Sequence, residues 1–394
     1  MKLLIVLSRV PYPLEKGDKL RAYNQLKELA KKNEIILFAI NDGTLHKDAI
    51  HELKKYCSKI KIVSLSKPQI VWNLVRGFFT GLPFQVAYFY FKKAQIEFDS
   101  FIQKEKPEHI YCQLIRTSEY VKNYSNIPKT LDYMDIFSKG MERRKEKASV
   151  FLKPFFGIEY KRLMKYEKNI FDSFDQKIII SEQDKNFIPH FEKQAIQVIP
   201  NGVDFSFFKP SEEKKKFEIL FNGNMNYPPN VESVDYLVKK ILPLVHQKLP
   251  KTKLLISGAS PSSKVLALQS PFVFVSGWTN DIRKNFAKSK ILVAPMQISI
   301  GLQNKLLEAM AMQIPCVTSS LANNALGAKN GTEILVADEP EEYAKHILYL
   351  LENPEKAAEI ALNGFQFVVK KYNWENSVAQ LQFIFEREKS TSKK

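Results

Sequence analysis

Apolar residues in this chain come in short, nearly unbroken runs. Between the runs they recur every three or four positions. Leu3–Leu7 and Ile35–Ile40 are such runs in the first half, and Ile60–Leu65, His109–Cys112, Lys129–Asp132 and Lys177–Ile180 read as further short strands. A run that does not alternate with polar residues predicts a strand buried on both faces. Asp18–Lys32 places Leu20, Tyr23, Leu26, Leu29 and Ala30 at helical spacing, and Asp48–Cys57 predicts a second helix. The pattern resumes after residue 215. Strands are predicted at Glu218–Phe221, Lys253–Ser257, Phe272–Val275, Ile291–Ala294, Cys316–Thr318 and Glu333–Val336, with helices near 231–248, 280–287, 302–312, 340–352, 354–371 and 374–388. Strand–helix alternation implies a parallel sheet covered on both faces. Two such series predict an α/β chain of two doubly wound Rossmann-like domains facing a cleft. The domains span 1–205 and 206–372, followed by 373–394, a helix with a polar tail. The charged run Ser211–Lys216 reads as a linker. Ligands of open parallel sheets bind beyond the carboxyl ends of the strands, so two domains suit two substrates.

The stretch Ile291–Thr318 carries the most chemistry. It reads as a strand, a loop containing Gly301, a helix with Leu302, Lys305, Leu306 and Ala309 on its spacing, and a second strand after Pro315. A helix that opens at a glycine loop beyond a strand presents N–H groups and a positive dipole end, which together favour an anion. The backbone around Gly301, Leu302, Gln303 and Asn304 is thus a candidate diphosphate cradle. Lys305 adds a point charge, and Glu308 is placed to accept ribose hydroxyls. The plainer alternative is an ordinary helix start with a surface glutamate. Gly223-Asn224 and Gly277-Trp278 each follow an apolar strand, where a glycine lets backbone approach a ligand.

Glu308-Ala-Met-Ala-Met312 resembles the donor-binding signature of family 4 glycosyltransferases of the GT-B fold. The family usually has a further Glu at the position of Ile300, and this chain is closer to a bacterial sub-branch reading Gly-hydrophobic-Gln-Asn-Lys. Other segments resemble the family too: Val198–Asp204, Phe221–Asn230, Val275–Trp278 with Asp281–Arg283, Tyr372–Trp374, and Arg9–Pro13 with Lys16–Arg21. The resemblance implies that Gly223 and Asn224 lie by the phosphates and Gly277 and Trp278 by the base. Arg283 or Lys305 would stand in for the Arg and Lys that the family often carries after its first donor-domain strand. It also implies a final helix that crosses back to the first domain, where Trp374, Val378, Leu381, Phe383 and Phe385 suit packing. Transfer with retention, no cofactor beyond the nucleotide diphosphate sugar, and no required metal are further implications.

Charge narrows the partners. The net charge is +17, and residues 1–210 hold 36 Lys and Arg against 24 Asp and Glu. Such an excess favours polyanions. No nucleic-acid recognition motif accompanies it, so an anionic membrane surface is the expected partner. Residues 70–93 and 151–171 mix aromatics with Lys and Arg, the composition of interfacial helices; a helical hairpin packed on its own sheet, together with lining of an acceptor pocket, is the alternative for 70–93. Arg9, Lys16, Gly17, Asp18 and Arg21, with Lys19 among them, form a basic loop after the first strand that suits a phosphate on the acceptor side. Asp132 and Asp135 follow a strand and are the first-domain candidates for a general base, or else helix-capping acids. His109 reads as a strand histidine. Cys57, Cys112 and Cys316 are odd in number and far apart, which predicts free thiols and a reducing compartment. No His, Cys and Asp grouping has metal-ligand spacing. Met1–Ser8 reads as a strand rather than a signal peptide.

The expected protein is a cytoplasmic glycosyltransferase, peripheral on the inner membrane face. It moves a sugar from a nucleotide diphosphate sugar to a glycan or lipid-linked saccharide in surface-polysaccharide biosynthesis. A nucleotide-sugar epimerase or hydrolase of the same fold, and a catalytically degenerate scaffold, are the alternatives.

Overall fold

The computed structural model describes residues 1–394 apart from 15, 212, 299–300 and 392–394. The chain divides into two compact units, residues 1–200 with 375–394, and residues 201–374.

The first unit holds seven parallel strands: β1 (Lys2–Leu7), β2 (Glu34–Asn41), β3 (Lys59–Ser64), β4 (His109–Gln113), β5 (Lys129–Asp132), β6 (Gln176–Ile179) and β7 (Gln197–Val198), in the order β3-β2-β1-β4-β5-β6-β7. Leu3 pairs with Ile35 on one side and with His109 on the other. The apolar runs explain why the sheet is covered on both faces. Leu4, Val6, Ile36 and Phe38 enter one buried cluster, whereas Leu3, Ile5, Leu7, Ile35 and Leu37 enter the other. Successive side chains of a strand point to opposite faces, so a strand apolar throughout must be buried twice.

The final helix, Trp374–Thr391, belongs for most of its length to this unit. Val378, Leu381, Ile384 and Phe385 join the cluster that contains Leu3 and Ile5. Phe383, expected to pack, is instead 65% exposed: packing falls on the stripe 378, 381, 384 and 385, and position 383 lies off it.

The second unit holds six parallel strands: β8 (Phe217–Asn222), β9 (Leu254–Ser257), β10 (Val273–Gly277), β11 (Ser289–Ala294), β12 (Cys316–Thr318) and β13 (Leu335–Val336), ordered β10-β9-β8-β11-β12-β13. In both sheets the chain first builds outward one way and then restarts on the other side of its first strand. The switch lies between β1 and β4 in the first unit and between β8 and β11 in the second.

Some expected elements differ from those formed. The helix expected over 231–248 runs as Pro228–Tyr236, a π-helical turn at Leu237–Ile241, and Leu242–His246. Pro243, which brings no N–H to the helical ladder, lies just beyond that turn. The helix expected from 302 begins at Asn304, and that expected from 280 begins at Arg283. Strand β7 was not anticipated; two residues leave no pattern to read.

Candidate functional site

Open parallel sheets bind ligands beyond the strand ends at the topological switch. In the second unit two loops meet that condition, the one after β8 and the one after β11. The β8 loop begins Gly223-Asn224. Its neighbour Gly258, at the end of β9, has φ +134°, and a Cβ there would stand 1.8 Å from the Gly223 carbonyl oxygen. Only glycine at 258 lets the two loops approach in this way. Gly258→Ala is expected to lower the stability of this unit by about 2 kcal/mol. An unchanged denaturation midpoint would show that the close approach does not matter.

The β11 loop is held from below. The Thr318 hydroxyl donates to the Ala294 carbonyl at 2.8 Å, and Ser319 to that of Met296 at 2.9 Å. Ser299 and Ile300, the latter at the position of the family's first Glu, lie outside the described residues. Gly301 has φ +69°, left-handed backbone that glycine adopts without strain. It leads through Leu302 and Gln303 to the helix Asn304–Ala311, whose N-cap residue Gln303 makes no side-chain cap hydrogen bond. By contrast, Ser319 caps the helix Ser320–Leu326 through the Ala322 N–H. The Asn304 Oδ1 accepts from Asn201 at 3.1 Å.

Lys305 and Glu308 lie one turn apart on that helix. Lys305 is buried. Its Nζ donates to Asn230 Oδ1 at 2.6 Å and sits 4.3 Å from the centroid of the Phe221 ring. Burial pulls the ammonium down to about 7, against the opposing pull of Glu308. Glu308 is half-buried. Desolvation pushes its carboxyl up to about 7, with Lys305 acting against the shift. Asn230, from the helix after β8, also donates to the Asn224 carbonyl at 2.9 Å. One amide therefore ties Lys305, beyond β11, to the loop beyond β8. It closes the motif that opens at Phe221, yet its role was not foreseen, because its partner is 75 positions away.

The other residues expected at the donor site divide. Asn224 turns its Oδ1 onto the Asn226 N–H at 2.9 Å, shaping its own loop. Gly277 ends β10, and Trp278 beyond it is 60% exposed, a free aromatic face on which a base can stack. Arg283 is engaged by neighbouring protein groups in this conformation. It grips Asp281 through Nε and Nη2, each at 2.8 Å, donates from Nη1 to the Phe207 carbonyl at 3.3 Å, and lies over the Phe207 ring at 4.1 Å. A carboxylate two positions back satisfies it at no entropic distance.

In the first unit, Arg9 bonds Asp18 at 2.9 Å and Asp42 at 3.3 Å. Two carboxylates thus offset the charge expected to meet a phosphate. Asp18 overcomes its burial because Arg9 and Arg116 hold it below the usual carboxylate range. Lys16 and Gly17 are exposed just ahead of it. Arg21 is not part of that loop surface. It is fully buried with Asp132, Nε to Oδ2 at 2.6 Å, and both lie beneath the surface that a substrate can reach. The pairing explains a cation in a first helical turn, and it removes Asp132 from the candidates for a base in this conformation. Asp135 follows a tight turn in which Met134 has φ +58°. It is half-buried, and desolvation together with Asp184, Asp132 and Asp18 pushes it up to about 8 despite Arg116. The shift favours its protonated form near neutral pH. His109 is buried against Phe385, with Nε2 2.9 Å from the Thr130 hydroxyl. All three cysteines are buried and free. Among the described residues no cluster of His, Cys, Asp and Glu could hold a metal ion.

Comparison with known proteins places this geometry. Residues 216–353, which span the site just described, match the family model Glycosyl transferases group 1. The chain is 23% identical over 398 residues to an uncharacterized 44.6 kDa protein in the cps region of Klebsiella pneumoniae, covering 94% of this chain and 96% of that one. Among solved structures, sucrose-phosphate synthase from Thermosynechococcus elongatus superposes with a TM-score of 0.74 at 15% identity, over 99% of this chain and 100% of the other. Anabaena Alr3699/HepE in complex with UDP does so with a TM-score of 0.72 at 14% identity, over 98% and 100%. The chain has the GT-B fold, and its second unit carries a glycosyl transferases group 1 domain.

Proposed function

We propose that this chain transfers a sugar from a nucleoside diphosphate sugar to a saccharide hydroxyl, with retention at the anomeric carbon, in the manner of family 4 glycosyltransferases. The observation that carries the proposal is one helix that follows a glycine loop at the switch between β8 and β11, with Lys305 and Glu308 on successive turns. As the bond from the anomeric carbon to the diphosphate oxygen breaks, negative charge grows on the leaving diphosphate. Preorganised N–H groups and Lys305 stabilise that charge. Glu308, deeper along the helix, accepts the ribose hydroxyls, and the Trp278 face takes the base. In this reading the chain itself supplies the positive charge, so chelation of divalent ions should leave the rate unchanged. Gly17, Lys16 and Asp135 are kept for the acceptor side, Asp135 as a proton-bearing hydrogen-bond donor. The acceptor is a glycan or lipid-linked saccharide, and the similarity to a cps-region protein supports work on a surface polysaccharide at the cytoplasmic face. HepE, of the same fold, was solved with UDP, so uridine diphosphate sugars are the first donors to test.

The test has two parts. Purified protein is offered uridine, guanosine and adenosine diphosphate sugars, with and without saccharide acceptors, and products are resolved. Sugar–acceptor product of unchanged anomeric configuration supports the proposal. Free sugar or an epimer as the sole product defeats it. The second part is Lys305→Met. A buried ammonium drawn from 10.5 down to about 7 costs the fold free energy as pH falls through that window. A methionine of similar shape is expected to raise the melting temperature by roughly 2–4 °C at pH 7, while donor affinity falls at least tenfold. Such opposite movement of stability and affinity marks a functional charge; a fall in both would mark Lys305 as structural.

A further inference from the structure

The first unit carries an exposed apolar surface apart from the residues assigned above to the donor. On the helix Lys67–Thr80, Trp72 is 66% and Phe79 81% exposed, with Phe78 beside them. At the entry to the helix Lys153–Ile170, Phe151 is 93% exposed, flanked by exposed Val150 and Phe155.

These two segments form one built platform. The Phe84 and Phe155 rings stack at 5.6 Å with an interplanar angle of 13°. Arg162 donates to the Gly77 carbonyl at 3.2 Å and to that of Phe78 at 2.9 Å, and its guanidinium lies 5.2 Å from the Phe84 ring centroid. Glu159, buried, accepts the N–H groups of Phe84 at 2.9 Å and Gln85 at 3.1 Å. The aromatics therefore project from a fixed surface.

Charge identifies the occupant. From residue 53 to 96 the chain has eight Lys and Arg and no Asp or Glu. From 144 to 168 it has eight Lys and Arg against three Glu, and two of those three, Glu159 and Glu167, are buried. Lys153, Lys161 and Lys165 are exposed along the same helix. Exposed Trp and Phe among Lys and Arg suit the boundary between headgroups and acyl chains. No helix among the described residues is long and apolar enough to cross a membrane, so such a contact lies on the surface of the bilayer.

We infer that this face seats the chain on an anionic lipid bilayer, with Trp72, Phe79 and Phe151 entering the headgroup layer and the lysines facing the lipid phosphates. The inference is independent of the transfer chemistry and can fail without it. The full chain is sedimented with vesicles of phosphatidylcholine, with and without phosphatidylglycerol. Binding to the anionic vesicles is expected to exceed that to neutral ones by roughly tenfold or more. It should fall in 1 M salt, where the screening length drops to about 3 Å. The triple variant Trp72→Ser, Phe79→Ser, Phe151→Ser should bind anionic vesicles at least roughly tenfold more weakly, with donor binding and melting temperature unchanged. Lys153→Glu with Lys161→Glu should abolish the preference for anionic lipid. No sedimentation with either vesicle overturns the inference, as does a triple variant that binds like the parent. A vesicle-free oligomer that the triple variant converts to monomer also overturns it, by showing that a second copy covers the face.

Discussion

Glu308→Ala is expected to weaken nucleotide-sugar binding by a hundredfold or more and to leave the protein folded. Hydrogen bonds to a charged group contribute roughly 1.5–3 kcal/mol each, and a ribose offers two hydroxyls to one carboxylate. Loss of both gives about 3–6 kcal/mol, on the order of two to four decades in Kd. The fold should not suffer to match. Desolvation has already raised Glu308 from 4.5 to about 7. The shift is upward, so the native state binds the proton more tightly than the unfolded chain does. Stability from this group therefore falls as pH rises from about 4.5 to about 7. Near neutrality the carboxylate is a cost, and alanine relieves part of it. Isothermal titration with a donor or its nucleoside diphosphate, beside thermal melts, reads both quantities. Donor affinity within threefold of the parent would falsify the assigned ribose contact.

The same two groups set a pH profile. Glu308 accepts two hydroxyls only when ionised, so affinity should decline as pH falls below about 7. Lys305 neutralises phosphate only when protonated, so affinity should decline as pH rises above about 7. The expected profile is bell-shaped, with limbs belonging to the pair rather than to either residue. Glu308→Gln should flatten the acid limb and, by removing the carboxylate that raises Lys305, move the alkaline limb to lower pH.

The fold was legible because burial on both faces leaves an unbroken apolar run in central strands such as β1, β2 and β11. The helix after β11 was legible for a local reason, since Gly301, Lys305 and Glu308 lie within two turns of each other. Contacts between distant positions were not. Asn230 meets Lys305 across 75 positions, and neither residue carries a mark of the other. Arg283 is expected near the diphosphate, and the sequence does not show that Asp281, two positions back, pairs with it. Arg21 is expected on the acceptor-side phosphate surface and Asp132 as a general base or capping acid. They are one buried pair, joined across 111 positions by the packing of the first helix on the sheet. Charge type and local spacing reveal chemistry that a short segment completes by itself; they say nothing of a charge whose partner arrives by folding.

That pair carries the second large effect. The Tyr111 hydroxyl lies 2.5 Å from Asp132 Oδ2 and 2.9 Å from Gln25 Oε1, and the Met134 N–H reaches Asp132 Oδ1 at 3.0 Å. Burial alone would weaken Arg21 as a base, and Asp132 with Tyr111 holds its charge. Removal of either ion leaves the other buried without compensation, which costs about 3–5 kcal/mol. Arg21→Met and Asp132→Leu are each expected to lower the melting temperature by roughly 10 °C. The double variant should recover most of that loss, since apolar groups can replace both ions together. A double-mutant cycle in chemical denaturation isolates the coupling between them. Asp132→Asn separates this structural role from a catalytic one. If Asp132 were the base, turnover would collapse with an unchanged denaturation midpoint. Because it anchors β5 from within, the midpoint should fall, and whatever protein remains folded should turn over close to the parent rate.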